Sequence, residues 1–127
     1  MSFEKVAFAF FIVMALTLNF GFFLGEINVP EHHNVYELFA AIIISLIATI
    51  MKFGDRSQIG SYLLATSLVA DVQLIVASLI WAITVYGQNQ AINPEHMSSI
   101  VSLSGGALLA NVTSVVLLVV EASRVRR

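Results

Sequence analysis

The sequence predicts an all-α integral membrane protein of four transmembrane helices, arranged as two tandem helical hairpins in a single domain, residues 1–127. Three observations predict it. Hydrophobic residues make up 58% of the chain and charged residues only 11%, whereas a soluble domain needs roughly a quarter of its residues charged to cover its surface. Four apolar runs stand at residues 6–24, 35–51, 60–85 and 98–120, and each is long enough to cross a hydrocarbon core as a helix, which takes about 17 to 25 residues. The six basic residues, Lys5, Lys52, Arg56, Arg124, Arg126 and Arg127, all fall on one side when those runs are threaded through a bilayer in order.

That last asymmetry sets the orientation. Basic loops stay inside, so both termini and the loop between the second and third helices are expected in the cytoplasm. Glu26, Glu31, Glu37 and Glu95 fall at the opposite face. An acidic mouth concentrates cations, and loops that simply avoid basic residues give the same pattern.

The first run is expected to remain as a membrane helix. It is too long for a signal-peptide core, and "NFGFFLGEIN" contains no small-x-small cleavage site. Seven of the nine phenylalanines lie within residues 3–23, an aromatic surface expected to face lipid, with Asn19 toward its outer end.

The second run is the shortest. "PEH" at 30–32 precedes it, and the same tripeptide at 94–96 precedes the fourth run. Proline and glutamate suit the first turn of a helix, and Asn93 suits its cap. A repeated tripeptide also fits a tandem two-helix repeat.

The third run carries Asp71 near its middle, about 17 Å above Gly60 and about 21 Å below Val85 at helical rise. An acid at that depth costs on the order of 3 kcal/mol and faces protein or water. It marks an ion path, or it is a hydrogen-bonded acid that holds helices together. At 100° per residue, Ser67 lies within about 40° of Asp71, whereas Gln73 points about 200° away. Helix three therefore shows two small-and-polar faces and no broad lipid face. Such a helix is expected to be central, covered partly by its own chain and partly by an oligomer or a membrane partner.

The fourth run places Ser102, Gly106, Ala110 and Ser114 at four-residue intervals, a small-residue stripe that allows close helix approach. Asn111 sits at nearly the depth of Asp71, and an Asp71–Asn111 hydrogen bond is the expected contact. Trp81, Tyr86 and Tyr36 are placed as an outer aromatic belt.

His32, His33 and His96 accompany Glu31, Glu37 and Glu95 at the outer face. Histidine with carboxylate can ligate zinc-like ions, but no HxxxH or HExxH spacing occurs, and no metal is assigned. With no cysteine, disulfides and thiolate chemistry are excluded. No phosphate loop, nucleophile set or metalloprotease spacing appears, so an enzyme, a cofactor or a nucleic-acid partner is not expected.

"FGDRSQIGSYLLATSL", residues 53–68, resembles the E-x-G-D-[KR]-[ST] signature of small manganese and calcium cation exchangers. Lys52 stands where that motif has its glutamate, and Asp55 falls at the cytoplasmic surface beside Arg56, so the exchangers' cation site is not carried over. Over its length, through "ALTLNFGFF", "PEHHNVYELFA" and "GDRSQIGSYLLATSLVADVQL", the chain is similar to a family of uncharacterised four-helix inner-membrane proteins of Gram-negative bacteria, which implies no activity.

Two functions follow from the residues. One is an oligomeric cation channel or transporter component, with Asp71, Asn111, Ser67 and Gln73 lining a midplane site. The other is a non-transporting accessory or regulatory subunit of a larger membrane transporter, such as a potassium uptake system, with Lys52, Asp55 and Arg56 meeting a cytoplasmic partner.

Overall fold

A computed structural model describes residues 3–125, the side chain of residue 125 excepted. Four helices account for most of it: α1 Phe3–Phe23, α2 Val35–Lys52, α3 Gln58–Ala82 and α4 Pro94–Val125, with a short 3₁₀ turn at Pro30–His32 and a π-helical turn, Ile83–Gly87, that prolongs α3. All four are long and apolar enough to span a membrane. Arg126 and Arg127 lie outside the described residues.

Local chemistry explains the boundaries. Asn34 caps α2 by accepting from the Tyr36 amide at 2.9 Å. Ser57 caps α3, its Oγ accepting from the Gly60 amide at 3.0 Å. Asn93 Oδ1 accepts from the His96 amide at 2.7 Å, the helix-start role its position predicts. Gly54, at φ 92°, makes the left-handed step that an L side chain resists and turns the chain from α2 into α3.

The two Pro-Glu-His tripeptides differ in use. Pro30 opens an isolated 3₁₀ turn that ends before α2 begins, whereas Pro94 is the first residue of α4. α4 also starts four residues earlier than the apolar run suggests and, at 32 residues, is about 48 Å long. Its polar first turn and its last turn therefore reach beyond a hydrocarbon core of about 30 Å.

The helices close into a ring in chain order, with α1 on α2, α2 on α3, α3 on α4 and α4 back on α1. Two apolar clusters fill it. One, toward the end where α1 finishes, holds Phe22, Leu38, Leu74, Met97, Ile100 and Val101; the other, toward the end bearing both termini, holds Phe8, Ile12, Ala48 and Leu63. Buried polar residues lie between them: Asn19, Ser45, Thr49, Ser67, Asp71, Asn111 and Ser114.

The outside is apolar. Val69, Val72, Val76 and Leu79 of α3 are exposed, as are Phe10, Ile43, Ile50, Leu109 and Val116 on the other helices. A surface of this kind needs an apolar solvent. It also corrects the expectation that α3 has no lipid face: the Val69–Leu79 stripe is one. The polar faces of α3 are covered within the chain, one by α2 and the other by α4. Each polar face of α3 is thus met by a helix of the same chain rather than left for an oligomer or a membrane partner to cover.

Candidate functional site

Asp71 is 3% exposed and is held by α2. Ser45 Oγ donates to Asp71 Oδ1 at 2.6 Å, and Thr49 Oγ1 lies 2.5 Å from Oδ2. Ser45 and Thr49 are one turn apart on α2, and Ser67 and Asp71 are one turn apart on α3. The two four-residue spacings lie alongside each other on antiparallel neighbours. Ser67 is fully buried, and its hydroxyl has no hydrogen-bond partner.

The proton count of this cluster is one short. Thr49 Oγ1 is also 2.9 Å from the Ser45 carbonyl, yet a hydroxyl has a single proton to donate. A proton on the acid, or a bound cation, completes the set. The only ion pair among the described residues is Lys52–Asp55, so no basic side chain compensates Asp71.

Asn111 is not the partner of Asp71. It faces α1, where Asn19 Nδ2 donates to Asn111 Oδ1 at 3.1 Å and to the Ser104 carbonyl at 3.2 Å, and Ser104 Oγ donates to Asn19 Oδ1 at 2.5 Å. All three side chains are fully buried. The physical reason is azimuth: α3 turns Asp71 toward α2, while α4 turns Asn111 toward α1. Asn19 is thus an interhelical anchor inside a helix whose phenylalanines suggest lipid contact, and α1 uses both faces, with Phe8 and Phe22 buried and Phe3, Phe10 and Phe20 exposed.

Gln73 lies on the α4 side of α3, against Gly106. A Cβ at that glycine would sit 2.6 Å from Gln73 Nε2, and Gln73 Oε1 is buried without a partner. Thr66 and Ser114 share a hydrogen bond at 2.6 Å across the same helix pair. Of the four midplane residues, then, Asp71 and Ser67 belong to the α2–α3 interface, Asn111 to α1–α4 and Gln73 to α3–α4.

The outer residues are distributed differently from the expectation of a shared face. His33 is buried; its Nδ1 lies 2.6 Å from the Phe22 carbonyl and its Nε2 lies 2.7 Å from the Glu26 carbonyl. It ties down the chain that leaves α1. His32 Nδ1 accepts from the Glu26 amide at 2.9 Å. Glu37 lays its carboxyl over Gly21 of α1, a site with no room for a Cβ. Glu31 and Glu95 are exposed, and His96 keeps Nδ1 buried without a partner. Among the described residues no three His, Asp or Glu side chains converge into a metal-holding group.

At the opposite end, Lys52 Nζ stands 4.2 Å from the Phe8 ring centroid and 3.5 Å from Asp55 Oδ2. Asp55 Oδ1 accepts from the Ser57 hydroxyl at 2.7 Å and the Ser57 amide at 3.0 Å. Those bonds, followed by the nearby Lys52 charge, hold the Asp55 carboxyl below its ordinary pKa. Arg56 is exposed.

Sequence reasoning missed Ser45, Thr49, Ser104 and the anchoring role of Asn19. The matched spacing, Ser45-x-x-x-Thr49 on one helix and Ser67-x-x-x-Asp71 on the next, was the available signal.

A ring of four apolar helices with its polar side chains turned inward defines a small multi-pass membrane protein. The chain belongs to a family of unknown function (DUF6394), which it matches over residues 32–122. The match takes in α2, α3 and most of α4 with the whole Asp71 cluster, and leaves out α1 with Asn19. No curated protein and no solved structure matches it.

Proposed function

We infer that this protein is a cation-translocating component of a bacterial inner membrane, with both termini cytoplasmic and Asp71 as the ion-binding group. One observation carries the reading: a nearly inaccessible carboxylate in mid-helix, bonded only to hydroxyls, in a cluster one proton short. Carboxyl and hydroxyl oxygens are the donors that hard cations take. An acid at such depth is retained against a cost of about 3 kcal/mol. Ser67, with its free hydroxyl one turn from Asp71, adds a further donor. The exposed Glu31 and Glu95 support cation attraction, and the one-sided lysines and arginines support the orientation.

On this reading the ion site lies inside one protomer, between α2 and α3, whether or not the protein is a homo-oligomer. A second reading, an accessory subunit of a larger membrane transporter such as a potassium uptake system, is favoured by a groove of about 370 Å³ between α1 and α4. Leu16, Thr17, Phe20, Leu108 and Val112 line it.

Reconstitution in liposomes separates the two. Flux of potassium, sodium, manganese or protons that disappears in Asp71→Asn, with the oligomer unchanged by native mass spectrometry, is the expected result. No flux of any of these ions overturns the cation reading. Assembly only in the presence of another membrane protein supports the second.

A further inference from the structure

The end of the bundle that bears both termini contains a notch of about 590 Å³ lined by Glu4, Lys5, Phe8, Lys52, Phe53 and Asp55, with Met51 and Gly54 beside them. That volume lies in the range of small-molecule pockets, about 300 to 1,000 Å³. The notch stands where the first turns of α1 meet the last turn of α2 and the loop that follows it.

Its formal charges are balanced, two basic residues against two acidic ones. Lys52 Nζ is level with Phe8, 4.2 Å from the ring centroid, about one helical turn deeper than Glu4 at the start of α1. Asp55 lies beyond the last residue of α2, in the turn that leads to α3. The Lys52 ammonium therefore sits on the inner side of the notch, with Asp55 at its rim and Glu4 and Lys5 side by side on the exposed first turn of α1. Glu4 and Lys5 are exposed, and neither belongs to an ion pair among the described residues. Asp55 remains charged near neutral pH because Ser57 and Lys52 stabilise its anion. Below the charges, Phe8 and Met51 provide an apolar floor, and Phe53 is 61% exposed at the edge.

We propose that this notch binds the headgroup of a zwitterionic aminophospholipid, its phosphate on Lys5 and Lys52 and its primary ammonium on Glu4 and Asp55. In such a lipid the phosphate lies toward the hydrocarbon and the ammonium toward water, and Lys52 on α2 followed by Asp55 past its end repeats that order. An anionic headgroup would leave both carboxylates facing negative charge. A choline headgroup carries no N–H to donate to them. The glycerol and the start of the acyl chains fit against Phe8, Met51 and Phe53. Basic residues at the membrane-facing end of transmembrane helices are established headgroup ligands; here acids placed outside them select the headgroup's far end.

The test is native mass spectrometry of the full-length protein extracted from membranes and exchanged into nanodiscs. The nanodiscs contain equal parts phosphatidylethanolamine, phosphatidylcholine and phosphatidylglycerol of identical acyl chains. Retention of phosphatidylethanolamine about tenfold above either other lipid is expected, a ratio that corresponds to about 1.4 kcal/mol. Glu4→Gln should bring phosphatidylcholine level with phosphatidylethanolamine, and Lys5→Gln should lower retention of all three. Among the described residues neither makes a side-chain hydrogen bond or ion pair, so both variants are expected to keep the fold, as circular dichroism will check.

Equal retention of the three lipids overturns the proposal. So does a preference for phosphatidylglycerol, or an ethanolamine preference untouched by both variants. Because lipid retention and ion flux are separate readouts, failure of the cation reading leaves this one standing, and the reverse.

Discussion

Ser45 reaches across the α2–α3 interface and donates to Asp71 at 2.6 Å, so the most deeply placed acid of the chain is anchored by a serine on the preceding helix. This contact joins the first two helices of the family match and holds the one carboxylate in the bundle core.

Removing either hydroxyl should loosen that interface. Ser45→Ala and Thr49→Ala are each expected to cost about 0.6 to 1.7 kcal/mol, the range of interhelical hydrogen bonds in membranes. The pair should be non-additive, because both bonds end on one carboxyl. Reversible unfolding in mixed micelles measures this, and additive losses would show that the two hydroxyls act independently.

The first and last helices are joined by another polar cluster. Asn19→Leu deletes the amide that serves both Asn111 and Ser104 and leaves their groups buried without partners, which costs about 1 to 3 kcal/mol. Asn111→Leu in the same background should add little. Thermal melting of the single and double variants in detergent gives the coupling directly.

Gly106 faces Gln73, and two effects compete there. An alanine gains up to about 1 kcal/mol of helix propensity, while its Cβ, 2.6 Å from Gln73 Nε2, forces a shift that costs about 1 to 3 kcal/mol. Gly106→Ala alone is thus expected to be neutral to destabilising. In a Gln73→Ala background the clash is gone, and the same substitution should stabilise. The sign change between backgrounds is the observable.

Asp55 makes one end of α3 sensitive to acid. Its folded pKa lies below the unfolded 3.8, so its contribution is complete above 3.8 and is lost as pH falls through the lower folded value. Hydrogen exchange of the Ser57–Ser61 amides, corrected for intrinsic rates, should accelerate as pH falls below about 4 in the wild type. Asp55→Asn should be nearly flat over that range.

Much of this architecture was legible in the residues because the bilayer leaves few alternatives. Only helices satisfy their backbone in hydrocarbon, so apolar length alone placed all four. Helical periodicity correctly separated the Asp71 face of α3 from the Gln73 face. What periodicity lacks is the identity of the neighbour. It gives the azimuth of Asp71 and of Asn111 on their own helices, but not the rotation of one helix against the next. For that reason the acid was paired with an amide that looks the other way. Ser45 and Thr49 escaped notice because alcohols are common in membrane helices and bond to their own backbone, as Thr113 does to Leu109. Asn19 was masked by its aromatic neighbours. The alternation of buried Phe22 with exposed Phe20 shows that a phenylalanine-rich helix can divide its rings between protein and lipid.

The closed ring of helices also imposes a schedule on biogenesis. When Asp71 leaves the ribosome, Ser45 and Thr49 are already made, 26 and 22 residues ahead of it. Asn19 has no such provision, since Ser104 follows it by 85 residues. At about 5 to 20 residues per second, that interval is roughly 4 to 17 seconds. Throughout it, the first helix carries an amide whose partners do not yet exist. A nascent chain stalled before α4 would keep that amide unpaired and so mark itself as unfinished to the machinery that removes incomplete membrane proteins.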